Sequence, residues 1–282
     1  MHNPQKTTKK MEGRQSIAYS FGRVFALAAA LCAASASALT LNDGLAVYLP
    51  FNNSLTENAV AGSPVTPEAS TATPPALVNN GMIGKCLDIP SGAYVKLTGS
   101  DSATLANNSL GFEDSNKSFT AIIWANHGAL DNDPVIFANK NWGGTAKGAL
   151  LCAKTVSNKP TVQFNAANGS ARIDKTASDT QFTGEGAGKW TFYAATRGND
   201  GVLRLYQGTS DGRLYCIADD MSDIVLGSGL PFYLGQDGTG RYGCTYNGFI
   251  DDFALWTRTL SHDDVKRIYE AGRKGLSLGD IK

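Results

Sequence analysis

The sequence is poor in charge and has no excess of either sign. Only 18% of its 282 residues are charged, and 25 Lys and Arg residues balance 25 Asp and Glu residues. A chain without a basic excess lacks the electrostatic attraction for phosphates that nucleic-acid binding needs, so we expect no nucleic-acid partner. The scarcity of charge, together with 31 glycines, favours many short strands joined by turns over long surface helices.

The sequence also lacks an apolar run long enough for a transmembrane helix, which needs about 20 residues. The longest run, residues 24–34, follows five basic residues and precedes Ala36, Ser37 and Ala38. This order is typical of a secretory signal peptide that is cleaved after Ala38. A start at Met1 and a start at Met11 both agree with it.

We therefore predict a signal peptide over residues 1–38 and a single domain over residues 39–282. The remaining segment has 20 basic and 24 acidic residues, a net charge of −4. We expect a protein that is secreted, periplasmic or bound at the cell surface, without membrane insertion. The proline-rich stretch 61–75 is predicted to be a surface loop, because proline cannot donate a backbone hydrogen bond.

Residues that could carry catalysis are scarce in residues 39–282. Glycosidases hold two carboxylates about 5 to 9.5 Å apart, and no strand-like segment here contains two Glu residues. The sequence also lacks a Gly-x-Ser-x-Gly motif and a phosphate-binding loop. These absences predict that the protein is not an enzyme. The five Glu residues are Glu57, Glu68, Glu113, Glu185 and Glu270.

Four cysteines remain after removal of the signal peptide: Cys86, Cys152, Cys216 and Cys244. None forms a Cys-x-x-Cys motif or a Cys/His cluster, so a zinc site is not indicated. An even number in an exported protein predicts two disulfides, for which three pairings are possible. Cys152 and Cys216 both lie in apolar strand-like runs, which favours their pairing and leaves Cys86 for Cys244. The alternative is four free thiols.

Twelve short segments are rich in β-branched and aromatic residues and are separated by glycine-bearing polar clusters, as strands are. This pattern predicts an all-β fold, a two-sheet antiparallel β-sandwich. The segments are 45–51, 86–89, 94–97, 119–125, 135–138, 150–153, 161–164, 190–196, 203–206, 214–217, 232–234 and 249–256.

One short helix is predicted near the C-terminus. Ser261 can cap it, Asp264 favours its first turn, and Gly272 ends it. Val265 and Ile268 fall on one face at helical spacing. We expect this helix to cover one end of the sandwich.

Four stretches of sequence resemble a known family. Residues 45–54, 84–88, 118–124 and 247–261 are similar to bacterial laminin-G-like jelly-roll domains of the concanavalin A-like lectin/glucanase superfamily. The resemblance implies a jelly roll. It also implies a non-catalytic module of a secreted protein that binds glycans or mediates adhesion, with calcium in many members.

The adjacent carboxylates Asp251 and Asp252 lie in an apolar segment. Strand alternation predicts that they face opposite sides of a sheet, and so they cannot flank one glycosidic bond. A buried carboxylate needs a cation or several donors. The resemblance favours calcium, with Asn52 and Asn53 as further oxygen ligands. The alternative is that Arg258 or backbone amides of the opening segment satisfy both carboxylates, and in either case the pair would fasten the last strand to the first.

Two glycine-rich segments carry the best candidates for a sugar-binding site, because aromatic rings stack on sugars and planar polar groups bind hydroxyls. The alternative is that Trp142 covers a sheet edge and the glycines only serve turns. The candidate residues are Trp142, Asn139, Asn141, Asp237, Arg241 and Tyr242.

Together these observations predict a secreted module that binds an extracellular glycan or a glycosylated surface. A structural or adhesion module that contacts protein, without a sugar site, is the alternative from another class. A glycoside hydrolase or polysaccharide lyase is a third alternative, which the scattered Glu residues disfavour.

Overall fold

The computed structural model describes residues 39–98, 118–128, 133–156, 159–176, 186–221, 229–243 and 245–281. The predicted signal peptide, Glu113, Glu185 and Cys244 lie outside these residues.

The described residues contain fifteen strands, one α-helix and a 3-10 helix at Leu278–Asp280. The elements are β1 (Leu45–Leu49), β2 (Thr66–Ala69), β3 (Ala76–Val78), β4 (Cys86–Ile89), β5 (Val95–Thr98), β6 (Phe119–His127), β7 (Val135–Ala138), β8 (Gly148–Val156), β9 (Lys159–Ala167), β10 (Arg172–Thr176), β11 (Trp190–Arg197), β12 (Val202–Thr209), β13 (Leu214–Asp220), β14 (Phe232–Leu234), β15 (Gly248–Trp256) and α1 (His262–Gly272).

The strands form two sheets whose strand pairs are all antiparallel, which confirms the predicted sandwich. Sheet A has eight strands in the order β13-β12-β11-β6-β15-β4-β3, with β1 also paired to β15. Sheet B has seven strands in the order β10-β9-β8-β7-β14-β5-β2. The first and last strands of the chain therefore meet in sheet A, as β1 and β15.

The main core lies between the two sheets. Alternate residues of the paired strands face it, as for Leu151 of β8 and Phe164 of β9, which are directly opposite each other and fully buried. Their neighbours Leu150 and Asn165 face the outer side of sheet B. Most strands lie where the enrichment in β-branched and aromatic residues predicted them.

Three strands lie where the sequence pattern predicted none: β2, β3 and β10. The stretch 61–75 was predicted to be a loop, yet Pro67 lies within β2 and pairs with Leu97 of β5. This prediction was wrong because β2 is the last strand of its sheet, and an edge strand tolerates a residue without an N–H group.

Helix α1 begins as predicted. Ser261 accepts a hydrogen bond from the Asp264 N–H at 3.1 Å, and the Asp264 side chain accepts from the Ser261 N–H in return. The helix does not cover an end of the sandwich. Val265, Ile268 and other apolar residues of α1 pack on the outer face of sheet A against Trp124 and Trp256.

Candidate functional site

Two loops that are about 90 residues apart in the sequence meet on the outer face of sheet B. They are residues 139–147, between β7 and β8, and residues 236–243, after β14. The Trp142 N–H donates to Asp237 Oδ2 at 3.0 Å, and the Gly238 N–H donates to the Lys140 carbonyl at 2.8 Å. A Cβ atom on residue 238 would lie 2.6 Å from the Asn139 carbonyl carbon, so only glycine permits this approach.

The contact between the loops brings together the two predicted loop aromatics. The rings of Trp142 and Tyr242 are stacked, with centroids 4.9 Å apart and planes inclined by 19°. Both residues are half-buried. They pack on a small apolar cluster of sheet B formed by Val135, Ala138, Leu150 and Cys152. We call this stacked pair the aromatic platform.

The predicted polar residues divide into two groups. Asn139 and Asp237 are buried, and their side-chain oxygens are used inside the loops. Asn139 Oδ1 accepts from the Ala149 N–H at 2.8 Å, and Asp237 Oδ1 accepts from both the N–H and the hydroxyl of Thr239. These two side chains shape the loops. Asn141 and Arg241 are exposed beside the platform and have polar groups at the surface.

The sequence reasoning missed Lys140 and Arg172. Lys140 is fully buried beneath the loop. Burial lowers the pKa of its ammonium to about 8, and the neighbouring Arg172 acts in the same direction, whereas Asp174 and Asp237 oppose the shift. Arg172 reaches the Gly144 carbonyl at 3.4 Å and pairs with Asp174 at 2.8 Å. No local pattern marks either residue, because a lysine in a loop is ordinarily solvated.

Polar side chains continue from the platform along the outer face of sheet B. The Asn165 amide donates to Asp174 Oδ1 and the Gln163 amide donates to the Thr176 hydroxyl, both at 2.6 Å. Asn165 Oδ1 is buried and has no hydrogen-bond partner among the described residues. A buried acceptor without a partner is a feature that a ligand or a water molecule can satisfy.

Asp251 and Asp252 lie on the other side of the sandwich, in β15. The prediction that they face opposite sides was wrong. The register of β15 against β6 shifts between Asp251 and Ala254, and Asp252 has a φ of +45°. A β-bulge adds one residue to a strand, so Ile250 and Phe253 both face the core and both carboxyls face the outer side of sheet A.

The fold itself supplies donors to this pair. Asp251 accepts from the backbone N–H groups of Ile83 and Asp252, both at 2.9 Å. Asp252 Oδ1 accepts from the hydroxyl of Tyr48 in β1. Burial raises the pKa of both carboxyls well above the usual range, and for Asp251 the neighbouring Asp252 carboxyl adds to the effect. The predicted alternative to a metal named the wrong partners: the amides belong to Ile83 and Asp252, and Arg258 donates to the carbonyls of Asp43 and Thr40 instead.

The oxygen atoms of this pair and of its predicted partners do not form a calcium site, because a calcium ion takes six to eight oxygen ligands. Asn52 Oδ1 already accepts from the Lys85 N–H at 2.9 Å, and Asn53 is exposed. Among the residues that the structure describes, Asp252 Oδ2 has no hydrogen-bond partner. Asp252 lines a cavity of about 10 Å³, which has room for about one water molecule. No group of three or more His, Cys, Asp or Glu side chains in the described part of the chain is placed to hold a metal.

The predicted pairing of Cys152 with Cys216 is wrong. Cys152 is a buried free thiol on the outer face of sheet B, under the platform, whereas Cys216 is an exposed free thiol on β13 of sheet A. The sandwich lies between them, far beyond the reach of a disulfide. Cys86 is also a buried free thiol, and its predicted partner Cys244 lies outside the described residues.

No helix within the described ranges is long and apolar enough to cross a membrane.

Comparison with known proteins supports the fold. A search of curated proteins gave no match. The binding domain of Paraclostridial Mosquitocidal Protein 1 has a similar structure, with a TM-score of 0.61 and 14% sequence identity over 82% of this chain and 53% of that one. This chain therefore spans about half the length of that domain.

Two further solved structures are similar. Domain 4 of AbnA, a GH43 extracellular arabinanase from Geobacillus stearothermophilus solved with arabinotriose, has a TM-score of 0.56 and 16% identity, covering 80% of this chain and 98% of that one. The binding domain of botulinum neurotoxin DC, solved with SialylT, has a TM-score of 0.55 and 16% identity, covering 82% and 52%. At these identities the likeness concerns the fold.

The family is decided by sequence. A laminin G model, described as concanavalin A-like lectin/glucanases superfamily, matches residues 97–266, more than half of the chain. That segment includes the aromatic platform, the bulge in β15 and the start of α1. The chain belongs to this laminin G family of the concanavalin A-like superfamily.

Proposed function

We propose that the protein is a secreted, non-catalytic module that binds extracellular glycan through the aromatic platform. The observation that carries the proposal is the stacking of Trp142 on Tyr242 at 4.9 Å by two loops that are remote in sequence. The two half-buried rings present aromatic surface, and a sugar ring packs well on the face of an aromatic ring. The exposed Asn141 and Arg241 supply hydrogen-bonding groups at the rim.

The similar structures add support from the fold. Domain 4 of AbnA, of which this chain covers 98%, was solved with arabinotriose, which supports an oligosaccharide as the ligand here. The binding domain of botulinum neurotoxin DC, of which this chain covers 52%, was solved with SialylT. A related toxin domain was solved with rat synaptotagmin II, which supports a protein contact as the second candidate. Secretion rests on the predicted signal peptide.

The carboxyl pair supports a non-catalytic role in spite of the corrected geometry. The bulge places Asp251 and Asp252 on one face, which removes the argument that they cannot act together. Both are nevertheless buried, and the cavity beside Asp252 is too small for a sugar. A glycosidase needs its two carboxylates on either side of a bound substrate, and this pair has no room for one.

An oligosaccharide array tests the proposal. We expect the protein, applied with calcium and again with a chelator, to bind at least one sugar class equally in both. Trp142→Ala should weaken that binding roughly tenfold to a hundredfold, because hot-spot aromatics contribute about 1.4 to 3 kcal/mol.

The matched control is Tyr215→Ala, which removes a half-buried aromatic from β13 on sheet A and should leave affinity unchanged. Absence of any sugar signal at high protein concentration would favour the protein-contact candidate. Sugar binding that requires calcium would show that the chain has a calcium site other than Asp251 and Asp252.

A further inference from the structure

Lys140 has an unusual environment for a lysine in a surface loop. Its side chain is among the largest that are fully buried. The ammonium donates to the carbonyl oxygens of Asn141, Trp142 and Gly144, at 2.8, 3.2 and 3.4 Å. An ammonium has three protons, so these three carbonyls match its donors in number.

The three carbonyls converge because the chain curls around the side chain that precedes them. Gly144 has a φ of +53°, a conformation that glycine adopts without steric cost. Several backbone carbonyls directed at one positive charge resemble part of the oxygen shell of a hard cation. Here the cation is the ammonium of Lys140, which belongs to the same loop as the carbonyls.

Stability alone does not explain this lysine. Burial lowers the pKa of Lys140, and a folded-state pKa below the unfolded value means that the charged form costs the fold free energy at neutral pH. Arg172 adds to the cost, while Asp174 and Asp237 reduce it. Replacing all members of a buried ion pair by apolar residues is often neutral or stabilising, so a buried charge is weak evidence of a stabilising role.

We propose that Lys140 is the positioning residue of the aromatic platform, a tethered cation whose contacts with the loop carbonyls set Trp142 against Tyr242. The main chain at Trp142 is held at two points: its carbonyl accepts from Lys140 and its N–H donates to Asp237. The inference rests on the proposed function where it concerns sugar affinity. It is independent of that function where it concerns the geometry of the rings.

Lys140→Met tests the role of the charge, because methionine keeps an unbranched side chain and removes the ammonium. We expect the near-ultraviolet circular dichroism of the stacked rings to fall to the level of Trp142→Ala. The thermal unfolding midpoint should change little, because removal of a buried charge and loss of the donor to three carbonyls act in opposite directions. A lysine with only a structural role would lower the midpoint and leave the ring signal of the folded protein intact.

Lys154→Met is the matched control. Lys154 is a partly exposed lysine of β8, paired with Asp133 at 2.6 Å, and its loss should leave the ring signal unchanged. A change as large as that of Lys140→Met would overturn the assignment, because it would show that any charge removed from this sheet disturbs the platform.

Chemical rescue gives a second, independent test. Lys140→Ala removes the ammonium and leaves space beside the three carbonyls. Ethylammonium chloride should restore the ring signal of this variant, whereas tetramethylammonium chloride at equal ionic strength, which has no N–H donor, should not. An unchanged spectrum in ethylammonium, or a wild-type spectrum for Lys140→Met, would overturn the inference. A sugar array without signal would count against the proposed function and leave these spectroscopic results valid.

Discussion

The two outer faces of the sandwich use their buried polar groups in different ways. On the outer face of sheet A, Asp251 and Asp252 are buried, and amide and hydroxyl groups of the fold donate to three of their four oxygens. On sheet B, Asp237 and Lys140 hold two loops in shape, and the groups that these loops carry remain at the surface. The carboxyl pair of sheet A stabilises the fold, whereas Asp237 and Lys140 of sheet B support the candidate site at the surface.

The largest effect on stability should come from Asp251→Ala, which removes one of the two buried carboxyls of sheet A. The substitution leaves the buried N–H groups of Ile83 and Asp252 without an acceptor, at a cost of about 3 kcal/mol in the free energy of unfolding. Urea unfolding measures the loss. Asp219→Ala, which removes a surface carboxylate paired with Lys175, should have little effect, and equal losses for the two variants would contradict the assignment.

The pH dependence of stability should sharpen the comparison. The raised pKa values of Asp251 and Asp252 mean that their stabilising contribution is complete below the unfolded pKa and is lost as pH rises through the folded pKa. Each such group contributes a slope of up to about 1.4 kcal/mol per pH unit. We therefore expect the urea midpoint to fall between pH 6.5 and pH 8.

The double variant Asp251→Asn, Asp252→Asn cannot titrate and should give a flatter profile over the same range. The lower limit avoids the opposite contribution of His127, whose pKa burial lowers to about 4, so that its stabilisation is lost as pH falls below 6.5. Lys140, with a pKa lowered to about 8, adds stability as pH approaches 8, and this contribution is the same in the double variant. A wild-type midpoint that rises between pH 6.5 and pH 8 would contradict the prediction.

The smallest effect should come from reduction of the protein. Cys152 and Cys216 lie on opposite outer faces, so a reducing agent should not shift the thermal midpoint by breaking a bond between them. A thiol reagent followed by peptide mapping should label Cys216 in the folded protein and reach Cys86 and Cys152 only after unfolding. Protection of Cys216 that disappears on reduction would show a disulfide after all.

Several features could be predicted because they depend on local pattern. The strand segments are rich in β-branched and aromatic residues and are separated by glycine-bearing turns, so most of their positions and the sandwich could be predicted. Ser261 and Asp264 form the capping box that starts α1. The glycine-rich segments around Trp142 and Tyr242 were identified as loops with candidate binding groups from composition alone.

Other features could not be predicted because they depend on distant partners. A bulge is a shift in the pairing of β15 with β6, and a strict two-residue alternation assigns Asp251 and Asp252 to opposite faces. Pro67 fits a strand only because β2 has a single neighbour. Lys140 has no sequence signal, since the carbonyls that it binds converge only when the loop is folded.

The sequence by itself determined the all-β class, the family and the residue types available for binding, because strand pattern, turns and caps are local properties of the chain. Only the tertiary structure decided which of these residues meet. The pairing of β7 with β14 brings the loops of Trp142 and Tyr242 together, and one extra residue in β15 places both carboxyls on the same face of sheet A. Contact between remote segments follows from strand order and register, which local spacing does not encode.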